Sequence, residues 1–393
     1  MSGMSLVSIV LSAVLALAGS PAAQRSGDAE FARGHWDAAL TAYAAQLARA
    51  PHDPDALRGL GTIYLYRNDL RRARTYLTEA ARLNPDDMMT QSRLRALTER
   101  EPSAQNFRIT MPSDPVRIPF VATDPLPVVR AKIDGKDALL VLDTGGGAVD
   151  LTVAGAKRLG VASHVAGIGI FAGGKKAEMR SGRIDRVDVA GLTVRGIPCM
   201  VTPEALKLAG RNVDGSIGTI FLRHFLSTID YPHGALILRR ASDSAAFERT
   251  AAANGSAAVP MWLVSDHFIF APARVNDTAD ALFSIDTGGE GIGVQLSTEE
   301  IAAAKVSLEG ARTGSFAGGG GAVRTQSFTV PSVSIGSFTE RNVPGLYFPD
   351  ANQFQIFPFQ VGGLLSHEFF RHTELSFDFE AMKLVVSTPK AGP

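Results

Sequence analysis

Apolar and polar residues follow two different patterns along this chain of 393 residues. Between residues 27 and 100 the apolar side chains recur at helical spacing. Residues 101–115 are polar and contain prolines, which indicates a linker. From residue 116 onward, short apolar runs alternate with Gly, Asp-Gly and Pro, a pattern typical of short strands joined by tight turns. The chain is therefore predicted to be mainly β, with a small all-α region in front.

The helical region, residues 27–100, contains the same pattern twice. Pro85 follows Pro51 at about the 34-residue period of the tetratricopeptide repeat, and at that offset Gly61 matches Gly27. The region resembles that repeat. Because such repeats usually need about three copies for stability, we expect these two to lean on another helix, on the rest of the protein or on a partner. A plain helical hairpin that acts as a spacer is the alternative.

The β region is also doubled. The segment 137–146 reads Asp-Ala-Leu-Leu-Val-Leu-Asp-Thr-Gly-Gly, and the segment 280–289 reads Asp-Ala-Leu-Phe-Ser-Ile-Asp-Thr-Gly-Gly. The features that follow each segment come in the same order. We therefore predict two tandem lobes of one fold, at 116–240 and 257–388, with a linker rich in Ala and Ser at 241–256.

Composition and charge exclude several classes of protein. Lys plus Arg and Asp plus Glu number 39 each, so the formal net charge is zero and a basic stripe for nucleic acid is not expected. Cys199 is the one cysteine of the sequence, which rules out an intramolecular disulfide and a multi-cysteine metal site. The eight histidines show no metal-binding spacing. We expect no metal, no cofactor and no nucleic-acid partner.

The N-terminus carries an apolar run from Leu6 to Ala18, followed by small residues. A bilayer-spanning helix needs about 20 apolar residues, so this shorter run favours a signal peptide at residues 1–23. We expect the mature protein to be exported. The alternative is a segment that stays uncleaved and anchors the protein in the membrane.

The chemistry of the chain centres on its two Asp-Thr-Gly motifs, at Asp143 and Asp286, each directly after an apolar strand. A Gly-rich hairpin follows in each copy, at 167–174 and 314–321, and then a hydrophobic pair, a short helix and a final strand. These features resemble a lobe of the retropepsin-like aspartic proteases. With two lobes in one chain, the arrangement is similar to that of the pepsins. The expected fold is a pair of tandem acid-protease β-barrel lobes.

The resemblance implies that Asp143 and Asp286 form the catalytic pair of an aspartic endopeptidase. The chemistry agrees with these residue types, since peptide hydrolysis needs a base that activates water and an acid that protonates the substrate. Two carboxyl groups that share one proton supply both. The expected substrate is a peptide or an unfolded protein, and similar bacterial proteins are secreted, which implies a periplasmic or extracellular location.

The resemblance also assigns roles to the residues around the pair. Thr144 and Thr287 are expected to grip the opposite lobe through their hydroxyl groups, and Gly145 and Gly288 to let backbone amides face the carboxylates. The Gly-rich hairpins are expected to be substrate-binding flaps. The two phenylalanines of the flaps have two alternative roles, lining the cleft or packing at the base of the hairpin, and the sequence favours neither. The residues expected in the flaps are Phe171, Gly173, Gly174, Phe316, Gly318 and Gly319.

The sequence departs from the family pattern in two ways. Gly146 and Gly289 stand where the family often has Ala or Ser, and Ser366 in the second copy stands where the first has Gly218. The second difference predicts an asymmetric site. Neither change removes a catalytic carboxylate.

Two other functions are compatible with parts of the sequence. A catalytically silent module of the same fold could bind peptides, with the helical repeats as a scaffold for a protein partner. Glycosidases also use paired carboxylates, but that function does not explain the Thr and Gly that follow each Asp.

Overall fold

The computed structural model describes residues 26–101, 107–170, 176–203, 207–208, 210–318, 321–351 and 353–389. It contains an N-terminal helical region followed by two β lobes, which confirms the predicted fold class. No helix in these ranges is both long enough and apolar enough to cross a bilayer.

Within the described residues, five α-helices build the N-terminal region and five more lie between the strands. The α-helices are α1 (Gly27–Ala32), α2 (Trp36–Arg49), α3 (Pro54–Tyr66), α4 (Leu70–Leu83), α5 (Met88–Arg100), α6 (Val153–Leu159), α7 (Thr219–Leu222), α8 (Ser244–Ala253), α9 (Thr298–Ala303) and α10 (His367–Phe370). Two 3-10 turns lie at Ala241–Asp243 and Gln353–Ile356.

Aspartates begin three of the N-terminal helices. The side chains of Asp53, Asp69 and Asp87 accept hydrogen bonds from backbone N–H groups in the first turns of α3, α4 and α5. These caps satisfy donors that a helix start leaves free. Helix α5 packs onto the second repeat through Leu97, which is fully buried beside Leu77. The repeats thus lean on an additional helix.

The helical region also packs against the second lobe through a shared aromatic cluster. The Trp36 ring lies edge-on to Trp262 and to Phe359, with centroid distances of 5.2 and 4.9 Å. At the end of α5, the buried Arg100 guanidinium donates to Leu65 O and Leu263 O, both at 2.7 Å. Arg100 therefore links helix α3 of the helical region to a strand of the second lobe.

The first lobe begins with a strand inside the predicted linker 101–115, because Arg108–Thr110 pairs with the lobe's eighth strand. The predicted linker 241–256 is largely helical. The strands of the first lobe are β1 (Arg108–Thr110), β2 (Val116–Ala122), β3 (Val128–Ile133), β4 (Lys136–Leu142), β5 (Val149–Thr152), β6 (Ser163–Ile170), β7 (Lys176–Val189), β8 (Leu192–Thr202), β9 (Lys207–Leu208), β10 (Arg211–Asn212), β11 (Gly215–Ile217), β12 (Leu226–Asp230) and β13 (Ala235–Arg239).

The second lobe repeats the strand order of the first. In the first lobe, neighbours in the sheet run β3-β4-β11-β5-β8-β7-β6, and pairing of β3 with β7 closes the barrel. The strands of the second lobe are β14 (Ala257–Pro260), β15 (Trp262–Val264), β16 (Phe268–Val275), β17 (Ala281–Ile285), β18 (Val294–Leu296), β19 (Arg312–Gly318), β20 (Gly321–Ile335), β21 (Phe338–Tyr347), β22 (Gly363–Leu365), β23 (Glu374–Asp378) and β24 (Lys383–Ser387). Their matching order is β16-β17-β22-β18-β21-β20-β19, closed by β16 with β20.

A six-stranded sheet joins the lobes, in the order β14-β24-β23-β12-β13-β2. Three of its strands come from each lobe, and the two lobes meet where β12 pairs antiparallel with β23. At this junction the buried hydroxyl groups of Thr228 and Ser376 bond to each other at 2.8 Å. One continuous hydrophobic core extends through both lobes, so the sheet holds the two Asp-Thr-Gly loops in a fixed relation.

Candidate active site

Each Asp-Thr-Gly loop leaves the end of a buried strand and is held by a parallel neighbour. Strand β11 runs parallel to β4, and Asp143 N donates to Ile217 O at 3.0 Å. In the second lobe β22 runs parallel to β17, and Asp286 N donates to Leu365 O at 3.0 Å. The same strand pairing and the same backbone hydrogen bond therefore position one aspartate at the end of a strand in each lobe.

The two threonines lock the loops to each other. The backbone N–H of Thr144 donates to Thr287 Oγ1, and that of Thr287 donates to Thr144 Oγ1, both at 3.1 Å. Each hydroxyl in turn donates across the lobe boundary, to Ile285 O at 2.9 Å and to Leu142 O at 3.0 Å. Both side chains are fully buried. Four hydrogen bonds thus hold the loops together.

The glycine after each threonine makes room for the opposite carboxylate. A Cβ on Gly145 would lie 2.4 Å from Asp286 Cγ, and one on Gly288 would lie 2.4 Å from Asp143 Cγ. The amides of these glycines also donate to the aspartate of their own loop, at 2.9 and 3.0 Å. A larger residue at either position would separate the two carboxyl groups.

Electrostatics distinguish Asp143 from an ordinary carboxyl group. Burial, then the charge of Asp286, then a hydrogen bond with the Asp286 side chain raise the pKa of Asp143 well above its usual range. The charge of Asp150 adds to the effect. The pair therefore keeps a proton at a pH where isolated aspartates have lost theirs.

Sequence reasoning missed Asp150. This residue lies on β5, and Gly147 N donates to its Oδ2 at 2.9 Å. The signal was available, because a carboxylate interrupts the apolar run of β5 soon after the motif, where the second copy has Gln295. Gln295 is uncharged and accepts a hydrogen bond from Gln353 Nε2 at 2.9 Å.

The predicted flaps coincide with two β-hairpins. The first is formed by β6 and β7, and the second by β19 and β20. Phe171, Gly173, Gly174 and Gly319 lie outside the described residues, and Gly318 ends β19. The Phe316 ring lies opposite Val323, near the tip of its hairpin, and packs against Phe348 at a centroid distance of 6.0 Å.

Among the described residues, two clusters of side chains have the composition of a metal site, and neither includes Asp143 or Asp286. Asp124, His367 and Glu368 form one, but the Arg371 guanidinium bonds to both of its carboxylates at 2.9 and 2.7 Å. The other consists of Asp230, His233 and Glu374, where Arg117 Nη1 bonds to Asp230 at 3.1 Å. An arginine thus already bonds to at least one carboxylate of each cluster.

Comparison with known families agrees with this geometry. Residues 129–221 and 271–369 match the family model for aspartyl protease, and each segment contains one Asp-Thr-Gly motif. Residues 30–99 match the family model for the tetratricopeptide repeat. No curated protein matched the chain. An aspartyl protease domain is thus found in two segments, one in each lobe, and a tetratricopeptide repeat precedes them, which confirms both resemblances found in the sequence.

Proposed function

We propose that this protein is an aspartic endopeptidase that hydrolyses peptide bonds with Asp143 and Asp286. The observation that supports this most strongly is the reciprocal pairing of two complete Asp-Thr-Gly loops, which brings the carboxyl groups into contact. Two carboxylates about 3 Å apart repel by roughly 5 kcal/mol at an effective dielectric constant of about 20. The working pair therefore carries one proton, as a site with one acid and one base requires.

Hydrolysis then proceeds in two steps. A water molecule attacks the carbonyl carbon of the peptide bond, giving a proton to the ionised carboxylate, while the protonated carboxyl gives its proton to the carbonyl oxygen. The product is a neutral gem-diol. In the second step the C–N bond breaks, the nitrogen takes the proton that came from water, and a diol hydroxyl returns a proton to the other carboxylate. The pair ends as it began.

We infer that the substrate is an extended or unfolded polypeptide. Strands β6 and β19 are the outermost strands of their sheets, and each belongs to a flap hairpin. An extended peptide can add its backbone to such an edge, while its side chains enter pockets on alternate sides. A folded protein would first have to expose such a segment.

The place of action and the partner are further parts of the proposal. We infer export to the periplasm or the exterior of a bacterial cell from the apolar segment within residues 1–23, which lies outside the described residues. The helical region is the proposed site for a protein partner. Because its aromatic face packs on the second lobe, a partner would bind the opposite, polar face.

The experiment that tests this function is incubation of the full chain with a mixed library of unfolded peptides, from about pH 3 to about pH 7. Mass spectrometry of the fragments should show internal cleavage that is strongest on the acidic side. Peptides that bind but stay intact at every pH would instead support the silent peptide-binding module. Release of single terminal residues only would contradict an endopeptidase.

A further inference from the structure

The two catalytic loops differ beside their second glycine. In the second lobe a Cβ on Gly289 would lie 2.6 Å from Ser366 Oγ, the atom that accepts a hydrogen bond from Gly289 N at 3.0 Å. In the first lobe the place of Ser366 is taken by Gly218, and a Cβ on Gly146 would instead lie 2.9 Å from Asp150 Oδ2. A neutral hydroxyl group thus supports one loop, and an ionisable carboxyl group supports the other.

Asp150 lies close to the catalytic carboxyl group of its own lobe. The same Cβ on Gly146 would lie 3.5 Å from Asp143 Oδ2. Both oxygens therefore lie beside the position of one absent methyl group, which makes the carboxyl groups of Asp143 and Asp150 close neighbours. No corresponding carboxyl group acts on the other loop from β18, because that strand has Gln295 at this register.

The backbone of β5 fixes the Asp150 side chain in this place. Val149 and Leu151 on either side are fully buried in the lobe core, so Asp150 extends from the opposite face of the strand. Gly147 N donates to Oδ2 at 2.9 Å, and the backbone N–H of Met200, which pairs with Asp150 on the neighbouring strand β8, also bonds to the carboxyl group. Both donors favour the ionised form of Asp150, because they lower its pKa against the effect of burial.

Besides Asp143, three titratable groups interact electrostatically with Asp150. Asp266 and His267 come from the turn between β15 and β16, where His267 Nδ1 lies 2.5 Å from Asp266 Oδ1, so their charges offset each other. Burial, with the charge of Asp150, raises the pKa of the Cys199 thiol to about 11, which leaves it neutral. Burial also raises the pKa of Asp150 itself. Asp150 thus ionises later than an exposed aspartate.

We propose that Asp150 is a third carboxyl group of the active site, a positioning residue that holds the shared proton on Asp143 and so leaves Asp286 as the base. This inference rests on the proposed peptidase function. Once Asp150 is ionised, its negative charge opposes ionisation of Asp143 across the Gly146 gap. The first lobe therefore supplies the acid, and the enzyme stays active to a higher pH than the two catalytic carboxyl groups alone would allow.

The test compares the pH profiles of kcat/KM for the wild type, Asp150→Asn and Asp137→Asn, using a peptide that the wild type cleaves. Asp150→Asn keeps the shape of the side chain and removes its charge. The pH at which kcat/KM falls on the alkaline side (the alkaline limb of the profile) should therefore be lower by about one pH unit. Asp137→Asn removes an exposed carboxylate of the same lobe and should leave the limb in place. An unmoved limb in Asp150→Asn, with cleavage intact, would overturn the proposal and leave the peptidase function standing.

A second measurement decides the proposal without any cleavage. Titration of ¹³C-labelled aspartate carboxyl groups by NMR, with the Asp143 signal assigned by its loss in Asp143→Asn, should show a lower pKa for Asp143 in Asp150→Asn than in the wild type. Equal values would refute the role of Asp150 even if the protein proved to be a silent peptide-binding module.

Discussion

Thr144 and Thr287 each donate a backbone N–H to the other's hydroxyl oxygen, at 3.1 Å, although they lie in different lobes. The hydroxyl groups then donate to carbonyl groups that directly precede the opposite aspartates, those of Ile285 and Leu142. The spacing of the Asp143 and Asp286 carboxyl groups thus depends on two side chains that take no part in the proposed chemistry.

Replacing Thr144 with Val should weaken this link. The change keeps the side-chain shape but leaves Thr287 N and Ile285 O buried without partners, which costs about 1–3 kcal/mol for each group. Because small displacements of reacting groups can lower rates about a hundredfold, kcat should fall strongly. Thr144→Ser retains the hydroxyl and should restore both stability and kcat. Equal activity of the Val and Ser variants would contradict a positioning role.

Gly145→Ala tests how closely the lobes approach. Its added methyl group would lie 2.4 Å from Asp286 Cγ, so the carboxyl groups must separate. We expect kcat to fall by about a hundredfold or more, with circular dichroism unchanged. The mirror variant Gly288→Ala should behave in the same way, because its methyl group would meet Asp143 Cγ at the same distance. An active Gly145→Ala protein would show that the two loops are farther apart in solution.

Much of this site was predictable because its sequence motif occurs twice in the chain. The repeated segments 137–146 and 280–289 placed both aspartates, both threonines and both glycines in matching positions. The role of Asp150 was not predictable, because it depends on the space left at Gly146 and on the absence of a matching carboxylate in the second lobe. A comparison of the two lobe sequences shows that Asp150 is replaced by Gln295 in the second lobe. It does not show which atoms lie near the Asp150 side chain.

The fold class was likewise readable from periodicity, whereas the docking of the helical region was not. Trp36, Trp262 and Phe359 come from distant parts of the chain, and helical spacing shows only that one face of α2 is apolar. The strand at Arg108–Thr110 was missed because its three exposed residues show no alternation of burial. Its pairing with β8 depends on tertiary contacts.

The docking interface predicts coupled unfolding of the helical region and the second lobe. Trp36 is 1% exposed, and truncation of such a residue to Ala costs about 3–5 kcal/mol. In Trp36→Ala, helical circular dichroism and the fluorescence of Trp262, then the one tryptophan of the sequence, should shift to lower urea concentration together. Met88→Ala, at a side chain 72% exposed, should leave both transitions in place. A shift of the helical signal alone would contradict the shared core.

His224 predicts a loss of stability in acid. Burial, and then the charge of Arg223, lower the pKa of His224 from 6.5 to about 4. Between these values the unfolded chain binds a proton at His224 and the folded chain does not. The stability present above pH 6.5 is therefore lost as the pH falls toward 4, by about 3 kcal/mol.

Substitution of His224 with Leu should remove this loss, because Leu cannot titrate and can still pack against Phe107. The fall in Tm between neutral and acidic pH should be smaller in His224→Leu than in the wild type. His372→Leu changes the exposed histidine at the matching place of the second lobe and should behave like the wild type. An identical fall in Tm for the wild type and His224→Leu would show that His224 is protonated in the folded protein.

The central claim is that Asp143 and Asp286 work as one catalytic unit, and cleavage by four Asp→Asn variants tests it most directly. Asp137 and Asp280 lie at the start of the strands that lead to Asp143 and Asp286, and both are exposed, which makes them matched controls. With an unfolded peptide at acidic pH, Asp143→Asn and Asp286→Asn should each lose cleavage while keeping their fold. Asp137→Asn and Asp280→Asn should cleave like the wild type. Cleavage retained in either Asp143→Asn or Asp286→Asn would contradict the account.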